Sequence, residues 1–141
     1  MIVANRVAVR RAACLAAAAT VVAAGLLLRL PRWPLPLPIH HYGGGVLWGA
    51  MLLFLVAALR PPRWHRRACV IASCLLAALI EASRLVHAPA LDVFRRTLPG
   101  ELLLGRIFSV WNLLAYALGI AVAAPLIRSH LREHDGAVTP P

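Results

Sequence analysis

Lysine is missing and acids are scarce: the 141-residue chain carries fifteen basic residues, all arginine, against five acids, for a formal charge of +10. Charged residues amount to 14% and hydrophobic ones to 61%. That leaves too little polar side chain to cover a water-soluble domain of this size, so composition argues for a bilayer as solvent. Aromatics are also few, at 6%, and no basic stripe with interleaved rings is present, which argues against a nucleic-acid partner. The arginines fall in clusters between apolar runs, where anionic lipid headgroups are the natural counterions. The three cysteines, Cys14, Cys69 and Cys74, form no CxxC and cannot all pair within the chain. They read as small buried apolar residues. A lipoprotein anchor is excluded because Val9, Arg10, Arg11, Ala12 and Ala13, not an apolar run, precede Cys14.

What is abundant is apolar sequence in lengths near the roughly 20 helical residues that cross about 30 Å of hydrocarbon. Four such runs predict an all-α polytopic membrane protein: a single domain with four transmembrane helices over about 12–28, 43–59, 68–86 and 109–127. The third run meets Glu81 and Arg84 and spans only if its helix continues to Val86, and Pro125 is placed to kink the last turn of the fourth. The first run also has the basic and apolar pattern of a signal peptide, but its extension through Leu26, Leu27 and Leu28 favours an uncleaved helix. The connection from Pro31 to His41, with four prolines, is expected to be extended and stiff, with Trp33 and Tyr42 at headgroup level.

Orientation follows from arginine. Nine lie on the side of both termini and six on the other side, so both termini are expected in the cytoplasm, with the chain in a bacterial inner (cell) membrane. The six outward arginines include Arg84, Arg95, Arg96 and Arg106, which share the segment around Leu85 to Phe108 with His87, Asp92 and Glu101. This segment is too rich in ionisable groups for a simple linker, and a short re-entrant or interfacial element is expected there.

Glu81 needs an explanation, because a carboxylate in a spanning helix costs several kcal/mol unless it is paired or wet (about 2.5–3.5 on insertion scales). Ser73, Ala77, Glu81 and Arg84 share one helical stripe, and Arg84 is within reach of a local ion pair. On the fourth helix Asn112, Ala115, Tyr116, Gly119 and Ala123 share a face whose small residues favour close contact. Asn112 and Glu81 are expected at similar depth. Glu81, Arg84, Asp92, Arg106 and Asn112 are therefore the candidate ligand-binding residues, suited to a phosphate or carboxylate headgroup; a set of ion pairs that merely packs the bundle is the alternative. No metal site is expected, since His40, His41, His87 and Asp92 offer no helical ligand spacing. No cofactor is implied. Ser83 and Ser109 have no adjacent base, so no catalytic residue is assigned.

The stretches Tyr42-Gly-Gly-Gly-Val-Leu-Trp48, Glu81-Ala-Ser-Arg-Leu-Val-His-Ala-Pro-Ala-Leu-Asp92, Leu104-Gly-Arg-Ile-Phe-Ser109 and Asn112-Leu-Leu-Ala-Tyr-Ala-Leu-Gly119 resemble the bacterial membrane family called domain of unknown function 2809. The resemblance covers about 42–127 and extends, more distantly, to VanZ-like membrane proteins. It implies a glutamine where Arg84 stands, an aspartate where Gly45 stands and an acid near Asn112. These departures weigh against a carboxylate cluster doing proton chemistry. Three readings follow: a non-enzymatic protein binding an anionic envelope ligand or partner; a small intramembrane enzyme or transporter acting on an envelope lipid precursor, with Glu81 as acid or base and Arg84, Arg95 and Arg106 holding phosphate; or an assembly factor docking through Ala115, Gly119 and Ala123.

Overall fold

The computed structural model describes residues 2–28, 37–61, 64–97, 99–100 and 108–127. Among these residues all regular structure is helical: α1 (Ile2–Leu28), α2 (Leu37–Leu59), α3 (Arg66–Ser83), α4 (Pro89–Arg95) and α5 (Val110–Ala123). Two of them contain stretches long and apolar enough to cross a membrane, Val7–Leu28 in α1 and Tyr42–Leu59 in α2. The other two expected spans are shorter or more polar, and α3 carries Glu81 in its last turn.

The boundaries differ from the expected ones for local reasons. α1 begins at Ile2, ten residues before Ala12; Arg10 and Arg11 do not end it, because arginine is a good helix former wherever its head can reach solvent or a polar partner. α2 begins at Leu37, so residues from 37 to His41 are helical and not extended as expected. Pro38 is tolerated there because a first-turn residue has no intrahelical acceptor for the N–H it lacks. The rest of that connection, with Arg29, Arg32 and Trp33, lies outside the described residues. α3 stops at Ser83, short of Val86, where Arg84, Leu85 and Val86 donate to the carbonyls of Glu81, Ala82 and Ser83 in tight turns. Ala88 is then extended, at φ −132° and ψ 137°, as a residue before proline prefers. α5 ends at Ala123, so Pro125 follows the helix and does not kink it.

α2 is the hub: it packs against α1, α3 and α5, and α3 also touches α5. One core cluster joins Cys14 and Ala18 of α1, Leu53, Phe54 and Ala57 of α2, Cys69 of α3, and Ile120 and Ala123 of α5. A smaller one joins Leu52, Ala77 and Tyr116, with Trp48 against them. Cys74, expected to be buried, is exposed, because it stands one residue off the inward stripe Cys69, Ser73, Ala77 and Glu81.

The contact between α2 and α5 is backbone on backbone. A Cβ added at Gly119 would stand 1.9 Å from the Val46 carbonyl oxygen, and one at Gly49 would stand 2.3 Å from that of Tyr116. The face of Ala115, Gly119 and Ala123 is therefore buried inside the fold, which removes it as an external docking surface. Small residues let two helices approach until their main chains touch, multiplying dispersion contacts that need no hydrophobic effect.

Gly119→Ala and Gly49→Ala should each destabilise the protein by about 1–3 kcal/mol through overpacking. Gly44→Ala, whose Cβ would meet nothing within 4 Å, should be close to neutral in the same thermal unfolding series in detergent.

Candidate functional site

Glu81 is fully buried on the inward stripe of α3. Its Oε1 accepts hydrogen bonds from Arg84 Nη1 at 2.8 Å, from the Ser109 backbone N–H at 2.8 Å and from Asn112 Nδ2 at 3.3 Å. Oε2 lies 2.8 Å from the same Arg84 Nη1, an ion-pair approach without hydrogen-bond alignment. Arg84, also buried, extends its Nη2 to the Tyr116 hydroxyl at 3.0 Å. Tyr116 in turn lies against Trp48 of α2, with ring centroids 4.6 Å apart and planes at 42°, an edge-tilted contact that fixes the phenol.

The result is a polar junction tying three helices. Ser109 is the N-cap residue of α5 and makes no side-chain cap of its own. The Glu81 carboxylate from α3 fills part of that role by accepting the Ser109 N–H, and it places negative charge at the positive end of the α5 dipole. One buried acid thus meets an arginine, an amide, a main-chain donor and a helix terminus, which is how a charge is kept in an apolar interior.

Asp92 and Arg95 form a separate unit. Asp92 Oδ1 accepts from Arg95 Nη1 at 3.1 Å, with Asp92 partly exposed and Arg95 buried. Arg95 also donates to the Val86 carbonyl at 2.8 Å and to that of Ser83. It therefore caps the C-terminus of α3, where unpaired carbonyls and the dipole both favour a cation. α4 is a short helix in the segment where a re-entrant or interfacial element is expected.

Of the five candidates, Glu81, Arg84 and Asn112 come together, Asp92 stands in the neighbouring pair, and Arg106 lies outside the described residues. Tyr116 and Ser109 complete the junction and were not among the candidates. Tyr116 was legible as part of the α5 face, but a main-chain donor such as Ser109 N leaves no signature in side-chain identity. Ser83 directs its hydroxyl to the Ile80 carbonyl at 2.6 Å, satisfying itself within the helix. Among the described residues no three histidine, cysteine, aspartate or glutamate side chains are grouped as metal ligands.

A family model described as "Protein of unknown function (DUF2809)" matches residues 35–120, well over half of the chain. The chain belongs to the DUF2809 family. No curated protein and no solved structure matches it. The DUF2809 region runs from just before α2 into α5 and contains Gly49, Glu81, Arg84, Asp92, Asn112, Tyr116 and Gly119, the residues of the junction and of the close helix contact. Arg84 stands where the resemblance implied glutamine, and here it is the cation that neutralises Glu81.

Glu81→Ala should destabilise this DUF2809 protein by about 3–5 kcal/mol, because it strands a buried guanidinium. Replacing both partners, Glu81→Gln with Arg84→Met, should cost less than the sum of the two single changes. Tyr116→Phe should cost about 1–2 kcal/mol. Unfolding midpoints measure all three, the second as a double-mutant cycle; strictly additive changes at 81 and 84 would contradict the ion pair.

Proposed function

We propose that this DUF2809 protein is a four-span integral protein of the bacterial cell membrane that binds an anionic envelope ligand or partner and catalyses no reaction. One observation carries the reading: around an apolar core, charged groups are enclosed while large apolar side chains line the outside. Glu81, Arg84, Arg95 and Ser73 are enclosed, while Ile71, Leu75 and Leu79 on α3 and Val110, Trp111, Leu114, Leu118 and Val122 on α5 face outward. Most residues of the long apolar stretches of α1 and α2 are likewise not fully buried. Apolar surface on this scale calls for hydrocarbon as solvent. Eighteen helical residues in α3 extend about 27 Å at 1.5 Å per residue. α5 and the turns after it to Ile127 cover a similar stretch of chain, which supports all four spans.

The enclosure of Glu81 favours binding over catalysis. A general acid or base needs its oxygen within reach of a substrate proton, whereas both oxygens of Glu81 face Arg84 and Oε1 is shared among three donors. An enzyme or transporter of envelope precursors, as kinship with VanZ-like proteins would suggest, needs a reachable group in that place. In our reading the Glu81 junction sets the shape of the outward rim. The ligand meets the rim's arginine surplus, where Arg96 is exposed beyond the Asp92–Arg95 pair.

Reporter tags at residues 64 and 98 should report opposite compartments, with 64 cytoplasmic; the same compartment at both sites would end the four-span reading. A photo-crosslinker at Thr97 should capture an anionic lipid or envelope precursor, and Arg96→Gln should lower that capture severalfold. Equal capture from both proteins would refute ligand binding at this rim.

A further inference from the structure

The opposite end of the bundle holds a different kind of polar group. Arg10, Cys14 and Ala18 follow one face of α1 at intervals of four, and Cys14 and Ala18 belong to the main core. Arg10 therefore enters the bundle one turn beyond Cys14. There its Nε and Nη2 are buried and have no hydrogen-bond partner among the described residues. Those two nitrogens form one edge of the guanidinium, the pair of parallel N–H donors that a phosphate or carboxylate accepts side-on.

The charge that acts on Arg10 from α2 offers no relief. Arg60, at the end of α2, is 6% exposed and donates to the Trp64 carbonyl. It lies close enough to Arg10 for the two cations to repel, and Arg11 adds to that repulsion. Glu81 and Asp92, the acids among the described residues, are at or beyond the far end of α3. Two guanidinium groups converge at one end of an apolar bundle, then, and an edge of one is orphaned. Burying such donors unpaired is costly, and an anion bridging the two arginines removes the penalty.

We propose that Arg10 and Arg60 form a phosphate-binding site at this end of the bundle, filled by a lipid headgroup phosphate or by a free phosphate. The site is distinct from the outward rim, and Arg10 lies outside the DUF2809 match. The lipid source rests on the membrane reading above, whereas the arginine pair does not. If the bundle spans as proposed, the pair stands at headgroup level on the cytoplasmic side, where anionic lipid is presented continuously.

The test uses the full chain in a neutral maltoside detergent and native mass spectrometry. Phosphatidylglycerol should be retained over a diacylglycerol with the same acyl chains. Arg10→Gln should lower that retention by about tenfold, as expected for loss of a charged hydrogen-bond pair, Arg10→Lys should lower it less, and Arg67→Gln, at an exposed arginine of the same end, should change it by less than about twofold. Excess inorganic phosphate that displaces the lipid identifies free phosphate as able to fill the site; lipid that resists displacement identifies the headgroup. Without any phosphate, Arg10→Gln should unfold no earlier than the wild type, because no partner is lost; a large drop would mark Arg10 as a structural residue and overturn the proposal. Equal losses from Arg10→Gln and Arg67→Gln would also overturn it. So would phosphate binding only when Glu133 and Asp135 are changed to Gln and Asn, since the chain's own tail would then be the native anion. A failed topology map with intact phosphate binding would remove the membrane reading and leave the site standing.

Discussion

A carboxylate with no access to water must be matched where it sits, and the architecture around α3 and α5 follows from meeting that demand for Glu81. The acid is held by Arg84 from the turn that ends its own helix and by Ser109 N and Asn112 from the start of α5. Each partner fixes a different degree of freedom. Arg84 sets the charge balance, the Ser109 N–H sets the position of the α5 terminus, and the Arg84 contact to Tyr116 sets the rotation of α5 against α3. A network of this kind contributes less to stability than its Coulomb energy suggests, because desolvation offsets much of the gain. Its effect is on specificity: a different register of α5 would leave a buried charge unmatched.

Close packing reinforces the same choice. Gly49 and Gly119 allow α2 and α5 to meet main chain to main chain, and that approach brings Trp48 of α2 against Tyr116. The phenol is thereby placed between an aromatic neighbour and the Arg84 guanidinium. Steric fit and charge neutralisation select the same arrangement, which is the internal consistency expected of a sequence that folds to one structure.

The two ends of the bundle contrast. At the Glu81 end, Arg84 and Arg95 have carboxylate partners and helix-terminal carbonyls or hydroxyls to hold. At the other end Arg10 and Arg60 repel one another, and the acids among the described residues, Glu81 and Asp92, lie at the opposite end. Positive charge left over at the Arg10 end suits a partner from outside the fold. At the Glu81 end the paired charges make a joint within the fold and leave the exposed Arg96 beyond them.

Much of this was legible in the residues. Helical class, the apolar runs, the Ser73, Ala77 and Glu81 stripe, the Glu81–Arg84 spacing and the small-residue face of α5 all follow from the period of the helix and the cost of burying charge. Helix ends were less legible: the start of α2 at Leu37 and the stop of α3 at Ser83 depend on where Pro38 falls in a first turn and on which side chain takes up the last carbonyls. The sequence by itself determined that an acid within an apolar helix must have a cation nearby, since Arg84 lies one turn on and cannot move away. Only the tertiary structure decided that α5 would complete the shell through the Ser109 main chain, that its glycine face would close on α2, and that Arg10 and Arg60 would stand at the same end of the bundle. Those outcomes join residues dozens of positions apart, and helix packing, unlike helix period, is not written in any local stretch of chain.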